Sequence, residues 1–286
     1  MKRLFCTIWL FVLVLLSACV AEERIHLEER FVSWFRPTQE AYALLIDNGV
    51  YSPNIWVEYE DVTIYLRQIM GNPYVLYLAV DIVGEDLSIN QATLSGVFTE
   101  RNESWSVFTG GGIAKIHGCM DLPGGYIIRF FFESPLDIEQ ELVMQMDVNQ
   151  VPVDPSSENF IFGLYELAFV PRVNAPVREM LFLDDTGTNI GTLSASVLHI
   201  HFVFWDTDDL LDPDFPSQTP VRIVMEDDTY RTLRGPILTQ SLEMEGSTRW
   251  SIWSECRQLW EPHRIVAVEI GEVRMRLYDK TLVHGG

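Results

Sequence analysis

From Val62 onward, apolar and polar side chains alternate with a period of two, and no long helical period interrupts them. In "DVTIYLRQI" the residues Val62, Ile64 and Leu66 alternate with Thr63, Tyr65 and Arg67. After Gly71-Asn72-Pro73 the alternation resumes with Leu76, Leu78, Val80 and Ile82. Successive strand side chains point to opposite faces, so this pattern predicts a hairpin with one wet face. Similar runs begin at Tyr126, Glu141, Gly163, Val177, Thr192, Val221 and Ser247, and "RIVAVEI" and "VRMRLY" follow. The turns between them are rich in glycine, proline, asparagine and aspartate. Many short strands without crossover helices argue for antiparallel sheets packed face to face and against a parallel sheet. The expected fold is all-β: two tandem antiparallel β-sandwiches, residues 49–172 and 173–286, meeting near Pro171 to Pro176.

The first 48 residues read differently. Lys2 and Arg3 precede an apolar stretch from Leu4 to Leu16 that is too short for a bilayer-spanning helix, which needs about 20 residues. Small residues follow in Leu16-Ser17-Ala18-Cys19, and then the charges of Glu22, Glu23 and Arg24. The tetrad resembles the lipobox of bacterial lipoproteins, which implies that residues 1–18 are a signal peptide and that the Cys19 thiol carries the lipid. Residues 19–48 are expected to be a tether with a short helical piece. Ile25, Phe31, Val32 and Phe35 give a partial stripe, Pro37 stops it, Thr38 offers a cap and Asn48-Gly49 a second stop.

Charge narrows the partners. The formal net charge is −21, and loss of Lys2 and Arg3 makes it more negative, so nucleic acid and anionic headgroups are repelled. Cys6 leaves with the signal and Cys19 is lipidated, leaving Cys119 and Cys256. These are far apart and without a CxxC neighbour, so they read as independent small side chains more readily than as a bridge or zinc site.

The strand pattern also resembles a known family. "VTIYLRQIMGNPYVLYLAVDI", "GTLSASVLHIHFVF", "TPVRIVMEDDTYRTL" and "RIVAVEIGEVRMRL" are similar to the tandem immunoglobulin-like domains of an uncharacterised Gram-positive, anti-sigma-factor-like extracellular family. The resemblance spans about residues 47–280 and implies immunoglobulin-like topology for both sandwiches. It brings no catalytic residues. In that family the domains commonly sit outside a single transmembrane helix, where this chain shows a lipobox-like tetrad instead.

Several clusters invite chemistry. His199 and His201 are two apart on an expected strand, so both imidazoles face one side and suit a metal; a pair on the wet face of a strand explains them equally well. Asp206, Asp208, Asp209, Asp212 and Asp214 concentrate oxygen in one loop, and Asp206 and Asp208 lead the candidate calcium ligands. The spacing misses the EF-hand template at Leu210 and Leu211, which favours a solvated loop. Gly110, Gly111, Gly112 and Lys115 lack the order and following helix of a phosphate loop. Trp250, Trp253 and Trp260 raise sugar stacking, although Trp250 and Trp253, three apart, should face opposite sides and core packing is preferred. No GxSxG or HExxH motif occurs. The expected function is that of a lipid-anchored, extracytoplasmic binding or sensing module of the cell envelope, non-catalytic and without a cofactor. Its partners would be the membrane, through the N-terminal lipid, and a protein or glycan. The competing class is an extracellular carbohydrate-active or carbohydrate-binding protein using acids and tryptophans in a sheet-end cleft.

Overall fold

The computed structural model describes residues 26–59, 62–84, 87–98, 103–107, 115–118, 124–132, 135–150, 160–183, 187–206, 221–232, 238–244, 247–255, 262–270 and 273–279. They are mostly β-strand with two short helices, and every strand pairing is antiparallel.

The first sheet holds β1 (Val50–Tyr51), β2 (Ile55–Tyr59), β3 (Val62–Asn72), β4 (Val75–Val83), β7 (Lys115–Gly118) and β8 (Gly125–Phe131), in the order β1-β3-β4-β8-β7 with β2 also on β3. The second runs β10-β9-β5-β6, from β5 (Leu87–Phe98), β6 (Glu103–Val107), β9 (Leu142–Gln150) and β10 (Phe160–Phe169). Alternation explains how the two meet. Val62, Ile64, Leu66, Leu76, Leu78 and Val80 project from the first sheet into one core with Leu94, Met144, Met146, Val148 and Leu167 of the second. All are buried, and apolar burial is worth about 25 cal/mol per Å2 removed from water. Between Leu66 and Gln68 a bulge shifts the register, so that Ile69 takes up the inward face.

The opposite face of this sheet is not wet throughout. Helix α1 (Glu29–Phe35) and helix α2 (Gln39–Asn48) lie over it. Phe31, Phe35 and Leu45 are fully buried against Met70, Val75, Tyr77, Ala79 and Phe131, and the Phe35 and Tyr77 rings meet edge to face at 4.8 Å. The expected tether is therefore, from Leu27 on, part of the core. The capping signals act as read: Thr38 accepts a hydrogen bond from Ala41 N, and the Gly49 N–H donates to Leu45 O. Arg30, itself buried, fixes α1. Its Nη2 lies 2.7 Å from Asp81 Oδ1, an ion contact without hydrogen-bond geometry, and its Nη1 donates to Val80 O at 3.0 Å.

Residues 170–176 lead to a nine-stranded sheet, ordered β15-β14-β18-β19-β11-β12-β13-β17-β16. Its strands are β11 (Val177–Leu183), β12 (Asn189–Ser196), β13 (His199–Asp206), β14 (Val221–Met225), β15 (Tyr230–Thr232), β16 (Leu238–Met244), β17 (Ser247–Glu255), β18 (Ile265–Ile270) and β19 (Val273–Asp279). Among the described residues the strand pairing between the two wings runs through β11 and β19, at Met180↔Asp279, Leu181↔Tyr278 and Phe182↔Leu277. Ile223, Ile265 and Val268 of one wing share a core with Leu193, Phe202 and Ile252 of the other. The run from Thr192 through Trp205, expected as one strand, is two strands around Val197-Leu198. That turn needs neither glycine nor proline, because Ser196 Oγ accepts from Leu198 N at 3.1 Å and His199 N at 3.2 Å and shapes the reversal itself.

Val197 and Leu198 belong to the helix-side core, so the turn plugs into the first half of the molecule. The backbone meets there as well: Asn174 N donates to Asn48 O, Ala175 N to Gly71 O and Gly71 N to Gly49 O. Gly49 is required by this approach, since a Cβ there would sit 2.9 Å from Ala175 Cβ; Gly71 is required within its own hairpin, where a Cβ would run into Val75 O.

Candidate functional site

Two polar features concentrate where the halves meet, one sealed and one open. The sealed one is built on Asn72, at the end of β3. Its Oδ1 accepts from Tyr74 N at 2.9 Å, which fixes the amide so that Nδ2 lies 3.2 Å from Ser196 Oγ and 3.3 Å from His199 Nδ1. Ser196 Oγ already accepts two backbone donors, so its hydroxyl proton goes to His199 Nδ1 at 2.9 Å. Two donors on Nδ1 put the ring proton of a neutral imidazole on Nε2. Burial presses His199 down to about 3, far below an ordinary histidine, and it is neutral in the folded chain near pH 7. Tyr74 extends the network to Glu179 Oε1 at 2.6 Å, and burial followed by that carboxylate pushes the phenol upward.

His201 lies two residues on, facing the same way, with Nε2 2.9 Å from Ser251 Oγ. Burial, then the neighbouring His199 and Arg249, lower it well below the usual value. Both imidazoles thus share a side as expected, but that side is dry: His199 and His201 are buried. The structure makes this a hydrogen-bonded seam in place of a wet strand face. Among the described residues no three His, Cys, Asp or Glu side chains come together as a metal site. Two serine–histidine pairs are the ingredients of nucleophilic catalysis, yet here they are enclosed, and His199 is held neutral with its acceptor nitrogen occupied.

The open feature is a cleft of about 700 Å3 between α2 and the second half. Arg36, Glu40, Leu44 and Asp47 line one wall; Asp227, Arg231, His263 and Arg264 line the other, with Val197 and Met225 among its apolar residues. The two ends of α1 and α2 aim this wall. Arg36 adopts a left-handed φ of 45° as it closes α1, and Thr38 then starts α2. On the far wall Asp227 accepts from Thr229 Oγ1 at 2.6 Å and pairs with Arg264 at 2.8 Å; the Thr229 bonds, before the arginine, hold its carboxyl below the ordinary range. Within a chain of net charge −21, three arginines on one cleft are a local concentration of positive charge. The three acids beside them make the lining mixed in sign, able to meet a ligand that is polar at several points over an apolar floor.

The other sequence candidates are placed as follows. Trp250 is buried in the second core, and Trp253 pairs with His201 in register, its side chain lying outside the described residues. Asp206 closes β13 opposite Thr248; its side chain, together with Asp208, Asp209, Asp212 and Asp214, lies outside the described residues, as do Cys19, Cys119, Gly110 to Gly112, Cys256 and Trp260. Sequence reasoning passed over Trp56, which is 62% exposed on β2. Among the described residues no helix is long and apolar enough to cross a membrane.

No family model matches the chain, and no curated protein does. Among solved structures it is similar to a conserved domain protein from Bacillus anthracis, at 10% identity over 77% of this chain and 75% of that one, with a TM-score of 0.42. A likeness that distant carries no argument about ligand or chemistry.

Proposed function

We propose that this chain is a non-catalytic binding or sensing module of the cell envelope, built from two tandem immunoglobulin-like sandwiches and held on the extracytoplasmic face by lipid on Cys19. Its ligand enters the cleft between α2 and the Met225–Arg231 hairpin. The observation that supports this reading is the separation of the two polar features: the serine–histidine pairs that resemble catalytic equipment are enclosed, whereas the accessible cavity offers arginines, carboxylates and an apolar floor. A recognition site needs that mixture and no nucleophile.

The test is a panel of small peptides and oligosaccharides of the envelope, screened by thermal shift and confirmed by calorimetry. Wild type should bind a member that Leu44→Trp, which fills the cleft, and Arg231→Glu, which reverses its charge, both fail to bind. Binding indifferent to both substitutions removes the cleft from the proposal. Turnover of a panel member would replace it with the enzymatic alternative.

A further inference from the structure

The helices cover only part of the outer face of the first sheet. Beyond them two rows of side chains stand side by side: Trp56, Tyr65 and Asp81, then Glu58, Thr63 and Val83. Trp56 on β2 is 62% exposed and Val83 on β4 54%, large apolar areas for two neighbouring rows of one sheet face. The rest of the patch is already engaged. The Arg67 guanidinium lies 4.2 Å above the Tyr65 ring and bonds Asp81 at 2.7 Å, and Asp81 also meets Arg30. The Tyr65 face and the nearby polar hydrogen bonds are thus taken, which disfavours a sugar, since a sugar needs a free ring face flanked by free donors and acceptors.

The chain enters at this same place. His26 O accepts from Gln68 Nε2 at 2.8 Å, and Gln68 also holds Ser52, four residues before Trp56. From Glu28 a line of contacts runs through Arg30, Asp81 and Arg67 to Tyr65 and Trp56. Cys19 is seven residues before His26. At about 3.3–3.6 Å per extended residue, a lipidated Cys19 keeps this edge within about 25 Å of the bilayer. Such a leash turns a weak surface affinity into a local event.

We propose that this half-covered face, with Trp56 at its β2 edge, is the surface the protein lays against the membrane that its own lipid enters. The proposal rests on the lipid-anchor reading of Cys19. Tryptophan suits the headgroup layer because its ring is apolar and its indole N–H is polar. Glu58 and the overall charge of −21 favour a zwitterionic surface over an anionic one. Bound this way, the protein is oriented, with its first sheet down.

The experiment uses the protein purified with its lipid and reconstituted on phosphatidylcholine vesicles whose acyl chains carry bromine, which quenches nearby tryptophan. Wild type should be quenched, Trp56→Phe should lose most of the quenching, and Trp205→Phe, altering an exposed ring on β13, should keep it. Unchanged thermal unfolding of the variants shows that each is folded. The mass of the same sample reports acylation. An unacylated Cys19 overturns the anchor and this proposal together; an acylated protein whose quenching ignores Trp56 overturns this proposal alone. Protection of Trp56 by a neutral oligosaccharide but not by vesicles also overturns it, in favour of a sugar platform.

Discussion

Acid should loosen this chain through His199, and the size of the effect follows from its burial. Folded, the imidazole is held down to about 3, whereas an unfolded histidine titrates near 6.5. Between those values the unfolded state binds the extra proton, so the neutral ring contributes stability above about pH 6.5 that is lost as the pH falls toward 3. Going from about pH 7.5 to about pH 5, one histidine with these two values costs about 2 kcal/mol, at about 1.36 kcal/mol per unit. His201, lowered in the same direction, adds to the loss. The assay is urea unfolding across that interval for wild type and His199→Gln. Glutamine can still accept from Ser196 but cannot gain a proton. The variant should begin less stable at neutral pH and lose about 2 kcal/mol less on acidification, since the carboxylates that titrate nearby are common to both proteins. Equal pH slopes for the two would refute the argument that the ring is sealed and neutral.

Three further substitutions probe the elements that set up the site. Arg30→Met removes the buried cation that joins α1 to Asp81, Val80 O and Tyr126 O, and should cost about 3 kcal/mol in urea unfolding. Thr38→Ala deletes the cap of α2 and should cost about 1 kcal/mol, seen as a fall of about 2–4 °C in Tm. Gly71→Ala drives a methyl against Val75 O and should destabilise by about 1–3 kcal/mol or more, with calorimetry as the check; Gly187→Ala, whose added Cβ meets no atom within 4 Å, would show only the strain of its positive φ.

The strands that could be read in advance are those whose alternation is undisturbed. Val62, Ile64 and Leu66 announce β3 because every second residue is apolar, and Leu76 to Ile82 announce β4 for the same reason. The bulge after Leu66 left no trace in the letters, since Arg67 and Gln68 are polar as outward residues are, although Gln68 is buried beneath His26. β5 and β16 were missed: "LSINQATLSGVF" and "LTQSLEM" dilute their apolar positions with serine, threonine, asparagine and glutamine. Helix boundaries were legible from Thr38 and Asn48-Gly49, but the burial of Phe31 and Phe35 was not, because it depends on a sheet face with no cover of its own. The serine that lets Val197-Leu198 turn without glycine hid a hairpin inside what looked like one long strand.

For the site, the spacing of His199 and His201 correctly indicated a shared side, but not that Asn72, more than a hundred residues earlier, would close over it. The cleft joins residues 36–47 to residues 225–264, and no local pattern links such segments. Trp56 looked like any strand aromatic, since exposure is decided by which neighbours fail to arrive.

The place of β19 in the nine-stranded sheet sets an order of events during synthesis. It lies between β18 and β11, so residues near 279 must emerge before the two wings beginning at Val177 can be joined. Both facing sheets of the first half are complete by Phe169. Both sheets of the front half can therefore pair while the rear half still waits for its central stave, and truncation near residue 272 should leave that rear half unable to close.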